Sequence, residues 1–133
     1  MKKIAETNLY IISIDAKKNR LYQEVRGRWL VPTIGYHYED DIDRALRLLK
    51  PGFTVLNNAL KVESLMSPEW RNIAEKIRER IVQSGMKASA EVLPENALTK
   101  MQIDRISKEA HFLTKFFSNP QEAEIWLDSL SYD

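Results

Sequence analysis

The chain has 133 residues, of which 44% are hydrophobic and 29% charged, and this length and composition are typical of a soluble globular domain. Its 20 Lys and Arg residues against 19 Asp and Glu leave a net charge of +1, which argues against nucleic acid or an anionic membrane as a partner. The absence of cysteine excludes disulfides, thiolate metal ligands and cysteine nucleophiles, and it favours a cytoplasmic location.

The first part of the chain predicts a β-hairpin followed by a helix. Leu9–Ile14 is rich in β-branched residues, and Arg20–Arg26 alternates apolar with polar side chains after a short polar turn. A helical period begins at Glu39 and ends at Lys50–Gly52. The two strands therefore form an antiparallel pair before the first helix.

The segment Trp29–Tyr38 predicts a loop, because it contains a proline and a glycine. Directly after it, Asp40, Asp41 and Asp43 crowd the predicted start of the helix. Carboxylates at a helix N-terminus stabilise the helix dipole, so we interpret them in that way and not as metal ligands.

The second part of the chain alternates strands with helices. Phe53–Leu56 predicts a short strand that runs into Asn57 and Asn58, and Ser67-Pro68-Glu69 combines an N-cap serine, a proline at the first helical position and an acid in the first turn. The remaining predicted elements are a helix to Gln83, a strand at Lys87–Leu93, a helix at Asn96–Ala110, a strand at His111–Phe117 and a helix opened by a capping box at Asn119–Glu122.

The predicted order ββαβαβαβα indicates an α/β fold. Helix-length crossovers imply parallel pairing, so we expect a mixed five-stranded sheet with an opening β-hairpin, then parallel strands, and about four helices. We expect a single domain over residues 1–133, without a membrane helix, because no stretch approaches roughly 20 apolar residues.

The sequence predicts how two tryptophans and two further apolar residues are packed. Trp70 and Trp126 lie on the apolar stripes of their helices, so we expect both to be largely buried. Leu98 and Met101 project away from the stripe of the helix from Asn96. This position indicates either a second contact inside the domain or, as we favour, a contact surface for a partner or a second copy of the chain.

The sequence predicts no catalytic, metal or cofactor site. It contains none of the common nucleotide-binding, hydrolase or zinc-protease motifs. Of its two histidines, His37 lies in an aromatic stretch where we expect it to pack in a loop, and His111 lies at a strand start where a cap is expected. We therefore expect a protein that is not an enzyme and needs no cofactor.

Polar residues at the predicted carboxyl ends of strands form the candidate binding site. Ligands of open parallel sheets gather at this edge, where the sequence places Asn57, Asn58, Ser67 and Asn96. A helix N-terminus with a free hydroxyl also suits an anion. The alternative is that each of these residues is a turn or cap residue that serves folding alone.

The element order, together with three segments, resembles a known superfamily. The segments are the hairpin end Glu24–Gly27, the strand entry Lys50–Leu56 and the closing helix Gln121–Leu127. The chain resembles the SpoIIAA-like (STAS) fold of anti-sigma factor antagonists, and within it a divergent, uncharacterised bacterial branch. The resemblance implies a regulatory module that binds another protein.

The resemblance also implies a role for Ser67. In the signalling members a strand ends in an aspartate, and a motif eight residues later places a phosphorylated serine at the next helix. Aligning Asn57 with that aspartate places Ser67 on the phosphoacceptor, although Leu65 and Pro68 replace the aspartate and glycine of the motif. Ser67 is therefore either the phosphoacceptor or only a helix cap.

Two functions remain open on the sequence. The first is a non-enzymatic protein-interaction or regulatory module that docks through the Asn57–Ser67 edge and the helix after it, with another protein or a second copy as partner. The second is a small-ligand-binding protein that holds an anionic or lipid-like molecule between helices and sheet. A cavity with apolar walls favours the second function, and a flat exposed apolar patch favours the first.

Overall fold

The computed structural model describes residues 1–29, 35–63, 67–95, 106–108 and 112–130. The strands are β1 Lys2–Glu6, β2 Tyr10–Asp15, β3 Arg20–Gly27, β4 Thr54–Val62, β5 Ala88–Val92, β6 Ile106–Lys108 and β7 Leu113–Phe117, and the helices are α1 Gly35–Leu46, α2 Pro68–Gln83 and α3 Pro120–Leu130.

The strands form one mixed sheet in the order β1-β2-β3-β4-β5-β7-β6. The pairs β1/β2 and β2/β3 are antiparallel, and the pairs β3/β4, β4/β5 and β5/β7 are parallel. At the far edge, β6 runs antiparallel to β7. The predicted opening hairpin and the parallel strands after it are therefore present.

Two strands at the sheet edges were not predicted, so the described residues form seven strands instead of five. β1 has the sequence KKIAE, whose mostly charged residues suit an exposed edge strand but carry no strand period. β6 lies inside the predicted helix Asn96–Ala110, and its pairing with β7 contradicts a helix at residues 106–108. The rest of that predicted helix, with Leu98 and Met101, lies outside the described residues, as does His111.

Helix α1 begins at Gly35, four residues before its predicted start. The end of the predicted loop is therefore helical, and His37 is an exposed helical residue and does not pack in a loop. The first turn of α1 contains no acidic residue, so the expected dipole role of the aspartates is wrong. Asp41 instead accepts a hydrogen bond from the Tyr10 hydroxyl at 2.7 Å, and Asp43 pairs with Arg80 of α2.

The side chains on the two faces of the sheet build two separate cores. Helices α1 and α2 cover one face over a core that includes a group of four packed aromatic rings, and α3 covers the other face over a smaller core. The aromatic group consists of Tyr10, Trp29, Tyr38 and Trp70, with Tyr10 stacked on Tyr38 at 4.8 Å and Trp29 edge-on to Trp70 at 4.4 Å between ring centroids.

The burial of the tryptophans follows the prediction only in part. Trp70 is fully buried, as expected, but Trp126 is half-buried and packs against Phe117 at the edge of the smaller core. Trp29 is also fully buried, although its segment was predicted to be a loop. It anchors the chain after β3 by donating its indole N–H to the Arg26 carbonyl at 2.9 Å.

None of the helices in the described ranges is long and apolar enough to cross a membrane.

Candidate ligand-binding cavity

The predicted site residues do not form one cluster. β4 continues to Val62, so Asn57 and Asn58 lie inside a strand and not at its end. Because side chains alternate along a strand, Asn57 points to the face covered by α1 and α2, and Asn58 points to the face covered by α3. Ser67 lies at the start of α2, and Asn96 lies outside the described residues.

Ser67 is the N-cap of α2. Its hydroxyl accepts a hydrogen bond from the Trp70 backbone N–H at 3.3 Å, and Pro68 occupies the first position of the helix. The backbone N–H of Ser67 donates to the Trp29 carbonyl at 3.0 Å, so the cap is also joined to the segment after β3. This geometry is that of a serine that begins a helix.

Replacing Ser67 with alanine should lower the free energy of unfolding by about 0.5–2 kcal/mol, because the N–H of Trp70 loses its acceptor. Aspartate caps helices as well as serine does, so Ser67→Asp should keep the stability of the wild type. Urea denaturation followed by circular dichroism measures both variants. Equal losses in the two variants would contradict a capping role.

A cavity of about 280 Å³ lies on the face of the sheet covered by α1 and α2. Its floor is formed by β3, β4 and β5, and its roof by α2, by one residue of α1 and by Met86 in the segment after α2. Most of its walls are apolar. The lining residues are Gln23, Val25, Tyr38, Val55, Asn57, Ala59, Ala74, Ile77, Arg78, Ile81, Met86, Ser89 and Glu91.

A row of polar side chains crosses the floor of this cavity. The parallel register aligns Gln23 of β3 with Asn57 of β4, and Asn57 with Glu91 of β5. All three residues line the cavity, because aligned residues of neighbouring strands point to the same face. The row brings three polar side chains together from segments that are far apart in the sequence.

Hydrogen bonds fix the polar row in place. The Asn57 amide donates to Glu91 Oε1 at 3.0 Å, and the Ser89 hydroxyl donates to the same oxygen at 2.7 Å. At the other end of the row, the Tyr38 hydroxyl donates to Gln23 Oε1 at 2.6 Å. The orientations of the polar side chains are thus set by hydrogen bonds within the protein.

Glu91 has an altered acidity. Burial raises the pKa of Glu91, and the hydrogen bonds from Ser89 and Asn57 and the charge of Arg78 offset this rise only in part. Burial likewise raises the pKa of the Tyr38 hydroxyl. A carboxyl group with a raised pKa in a partly apolar cavity is typical of a functional site, although buried structural networks can produce the same shift.

Arg78 of α2 lies at the rim of the cavity. Its guanidinium stands over the ring of Phe112, 5.5 Å from the ring centroid, and it lines both the cavity and the adjacent outer groove. The side chain as a whole is exposed. Arg78 therefore marks the side of the cavity that is nearest to solvent.

A second polar cluster, on the opposite face, attaches α3 to the sheet. The fully buried Arg20 donates from Nε to Thr54 Oγ1 at 2.8 Å and from Nη1 to Asp128 Oδ1 at 2.8 Å, and Nη1 lies 3.1 Å from Glu124 Oε2. Lys18 reaches the same two carboxylates from the solvent side. We call these four charged residues, Lys18, Arg20, Glu124 and Asp128, the α3 cluster.

The acidity of the α3 cluster reflects its ion pairs. The Arg20 guanidinium holds the pKa of Asp128 below its usual range. Burial alone would raise the pKa of Glu124, but hydrogen bonds from Tyr22 and Lys18 and the charge of Arg20 lower it. Both carboxylates are therefore ionised partners of the buried cation, and the cluster has a structural role.

Glu91 was not predicted to be a site residue. Asn57 was predicted to be one, but as a residue at the end of a strand and not as part of a polar row inside the sheet. The sequence does contain an indication of Glu91, because it is the one charged residue in the strand ASAEV and the other residues of that strand are small or apolar. Within the described ranges, no group of three or more His, Asp or Glu side chains is placed to hold a metal ion.

Comparison with known proteins supports the fold. No family model matches the sequence, and no curated protein matches it. The structure is similar to that of an uncharacterised DUF3478-family protein with a SpoIIAA-like fold from Shewanella loihica PV-4, with a TM-score of 0.62 and 16% sequence identity over 92% of this chain and 98% of that chain. The predicted SpoIIAA-like α/β fold is therefore confirmed, and at this identity the similarity concerns the fold alone.

Proposed function

We propose that this chain, which has a SpoIIAA-like fold, is a non-catalytic binding domain that holds a small molecule in the cavity under α2. The observation that carries the proposal is the cavity itself, about 280 Å³ with mainly apolar walls and one row of polar side chains on its floor. Ligand sites in proteins combine these two features, since apolar walls supply affinity and a few fixed polar groups supply orientation.

The exposed apolar surface favours this function over a protein-docking face. Among the described residues, the large exposed apolar side chains are Met1, Leu48, Leu60 and Ile125. Leu48, Leu60 and Ile125 come from the turn after α1, from β4 and from α3, so they do not share one element. Isolated apolar residues are normal on soluble proteins and do not indicate a binding patch.

One observation favours the protein-interaction module as a second candidate. β4 pairs with β5 only from Thr54 to Asn58, so no described residue pairs with the outer edge of Ala59–Val62. An unpaired strand edge can accept an extended segment of another protein. This edge belongs to the Asn57–Ser67 region predicted for docking, where phosphorylation of Ser67 would act on the partner complex.

Filling the cavity should abolish small-molecule binding. Ala74 of α2 is half-buried and lines the cavity, so Ala74→Leu places additional carbon atoms in the space that a ligand would occupy. Benzyl alcohol is a suitable probe, since a ligand of this size in a partly apolar cavity binds with a Kd of about 1 mM. Amide chemical shifts should report binding to the wild type and a loss of at least about tenfold in Ala74→Leu.

Asn72→Leu provides the matched control, because Asn72 is an exposed residue of the same helix and does not line the cavity. This variant should bind benzyl alcohol as the wild type does. Native mass spectrometry of protein from its host separates the two candidates: a bound small molecule that Ala74→Leu loses supports the first, and a bound polypeptide that it retains supports the second. No probe binding and no bound small molecule would contradict the first proposal.

A further inference from the structure

We infer that the cavity selects a ligand with a cationic hydrogen-bond donor, such as a primary amine on an apolar body, and binds that donor at Glu91 Oε2. This inference rests on the proposed function, because it names the chemistry of the molecule that the cavity holds. It differs from the anionic or lipid-like ligand that the sequence left open as an alternative, since Glu91 on the cavity floor is itself an acid.

The two carboxyl oxygens of Glu91 have different surroundings. Oε1 accepts two hydrogen bonds, from Asn57 and from Ser89. Among the described residues, no donor reaches Oε2, although Glu91 lines the cavity and keeps part of its surface accessible. Oε2 is not one of the buried side-chain atoms without a partner in the described part of the chain, so it is open to the cavity and is the acceptor that the fold leaves for a ligand.

The neighbours of Glu91 hold the carboxyl group in this orientation. Asn57 and Ser89 lie on the same face of the sheet and fix Oε1 from two directions, at 3.0 and 2.7 Å. Neither residue can rotate to serve Oε2 without losing its bond to Oε1. The binding geometry is therefore set in advance, which lowers the entropy cost of binding a donor there.

Charge also favours a cation in the cavity. Two titratable groups face Glu91 from the covering helices: Arg78 of α2, whose charge stabilises the carboxylate, and Tyr38 of α1, a neutral phenol whose pKa is raised. Because burial outweighs these effects and raises the pKa of Glu91, the ionised carboxylate is incompletely stabilised by the protein. An ammonium group against Oε2 would supply the missing interaction, whereas a carboxylate at the same place would be repelled by the ionised form of Glu91.

The raised pKa of Glu91 sets the direction in which ligand affinity changes with pH. A carboxyl group with a raised pKa stays protonated to higher pH in the folded protein, so the site becomes a full acceptor only as the pH rises through that pKa. Affinity for an ammonium ligand should therefore increase with pH over this range. Affinity for a neutral ligand of the same shape should not.

Three probes with the same ring and different heads test the inference: benzylamine, benzyl alcohol and benzoate, each titrated at pH 7 and followed by amide chemical shifts. Benzylamine, which is charged at this pH, should bind about ten- to hundredfold more tightly than benzoate, because a hydrogen bond to a charged group contributes about 1.5–3 kcal/mol. Glu91→Gln should weaken benzylamine binding by at least about tenfold and should remove the preference for benzylamine over benzoate.

Glu75→Gln is the matched control, because it removes the same charge from an exposed position on α2 that does not line the cavity. It should leave all three affinities unchanged. Titrations of the wild type at several pH values give a second measurement that needs no variant, and benzylamine affinity should rise with pH while benzyl alcohol affinity stays constant.

Benzoate binding as tightly as benzylamine, or an amine preference that survives in Glu91→Gln, would overturn this inference and leave the proposed ligand-binding function in place. An amine affinity that does not change with pH would also overturn it. Failure of all three probes to bind the wild type would overturn both the inference and the proposed function.

Discussion

Replacing Trp70 with alanine should lower the free energy of unfolding by about 3–5 kcal/mol, the usual cost of removing a large buried aromatic side chain. Trp70 has no exposed surface, and its ring packs edge-on against Trp29 at 4.4 Å between centroids. Its loss would leave a cavity between α2 and the aromatic group on the sheet. Urea denaturation followed by far-ultraviolet circular dichroism measures the change without relying on tryptophan fluorescence.

Trp126→Ala is the control for the size of the side chain. Trp126 is half-buried and lies over Phe117 at 5.8 Å, so solvent already surrounds part of its ring and its removal should cost clearly less than that of Trp70. A loss below about 1 kcal/mol for Trp70→Ala would contradict its burial in the core. Equal losses at the two positions would contradict the difference in burial between them.

Replacing Arg20 with methionine should lower the free energy of unfolding by about 3 kcal/mol, because removing the buried cation leaves Glu124 and Asp128 with Lys18 as the only remaining cation of the α3 cluster. Arg20 is fully buried, and it donates to Thr54 and Asp128 and pairs with Glu124. Methionine replaces the aliphatic part of the arginine side chain but not its guanidinium, so most of the loss comes from the charge and the hydrogen bonds. The side chain of Asp128 is 42% exposed, which keeps the expected loss at the lower end of the range for buried pairs.

Lys18→Met is the matched control within the α3 cluster. Lys18 pairs with the same two carboxylates, but its own side chain is 37% exposed. Exposed ion pairs contribute about 0–1 kcal/mol, so this variant should be nearly as stable as the wild type. A loss of stability as large as that of Arg20→Met would mean that the burial of Arg20 does not determine how much it contributes to the free energy of unfolding.

The dependence on pH provides a further check of Arg20→Met. The pKa of Asp128 is lowered by its hydrogen bond with Arg20, so the stability from this pair is present above the unfolded pKa and is lost as the pH falls through the folded pKa. The difference in stability between the wild type and Arg20→Met should therefore shrink in acid. A difference that stays constant at low pH would point to a loss of packing alone.

The sequence alone determined the elements whose signals are local. The hairpin of β2 and β3 follows from a run rich in β-branched residues and an alternating run on the two sides of a polar turn, and α2 follows from the cap Ser67-Pro68, both of which the structure retains. The parallel order of β4, β5 and β7 follows from the helix-length segments between the strands. These features were predictable because each depends on residues that are close together in the chain.

The tertiary structure decided the sheet edges and the site. β1 and β6 have no strand period of their own, and they become strands because β2 and β7 offer them unpaired backbone groups. The polar row of Gln23, Asn57 and Glu91 depends on the register of three strands, which joins residues 34 positions apart in both pairings. The sequence indicates that each of the three strands contains a polar residue. Only the pairing of the strands places those residues side by side under α2, on the floor of the cavity.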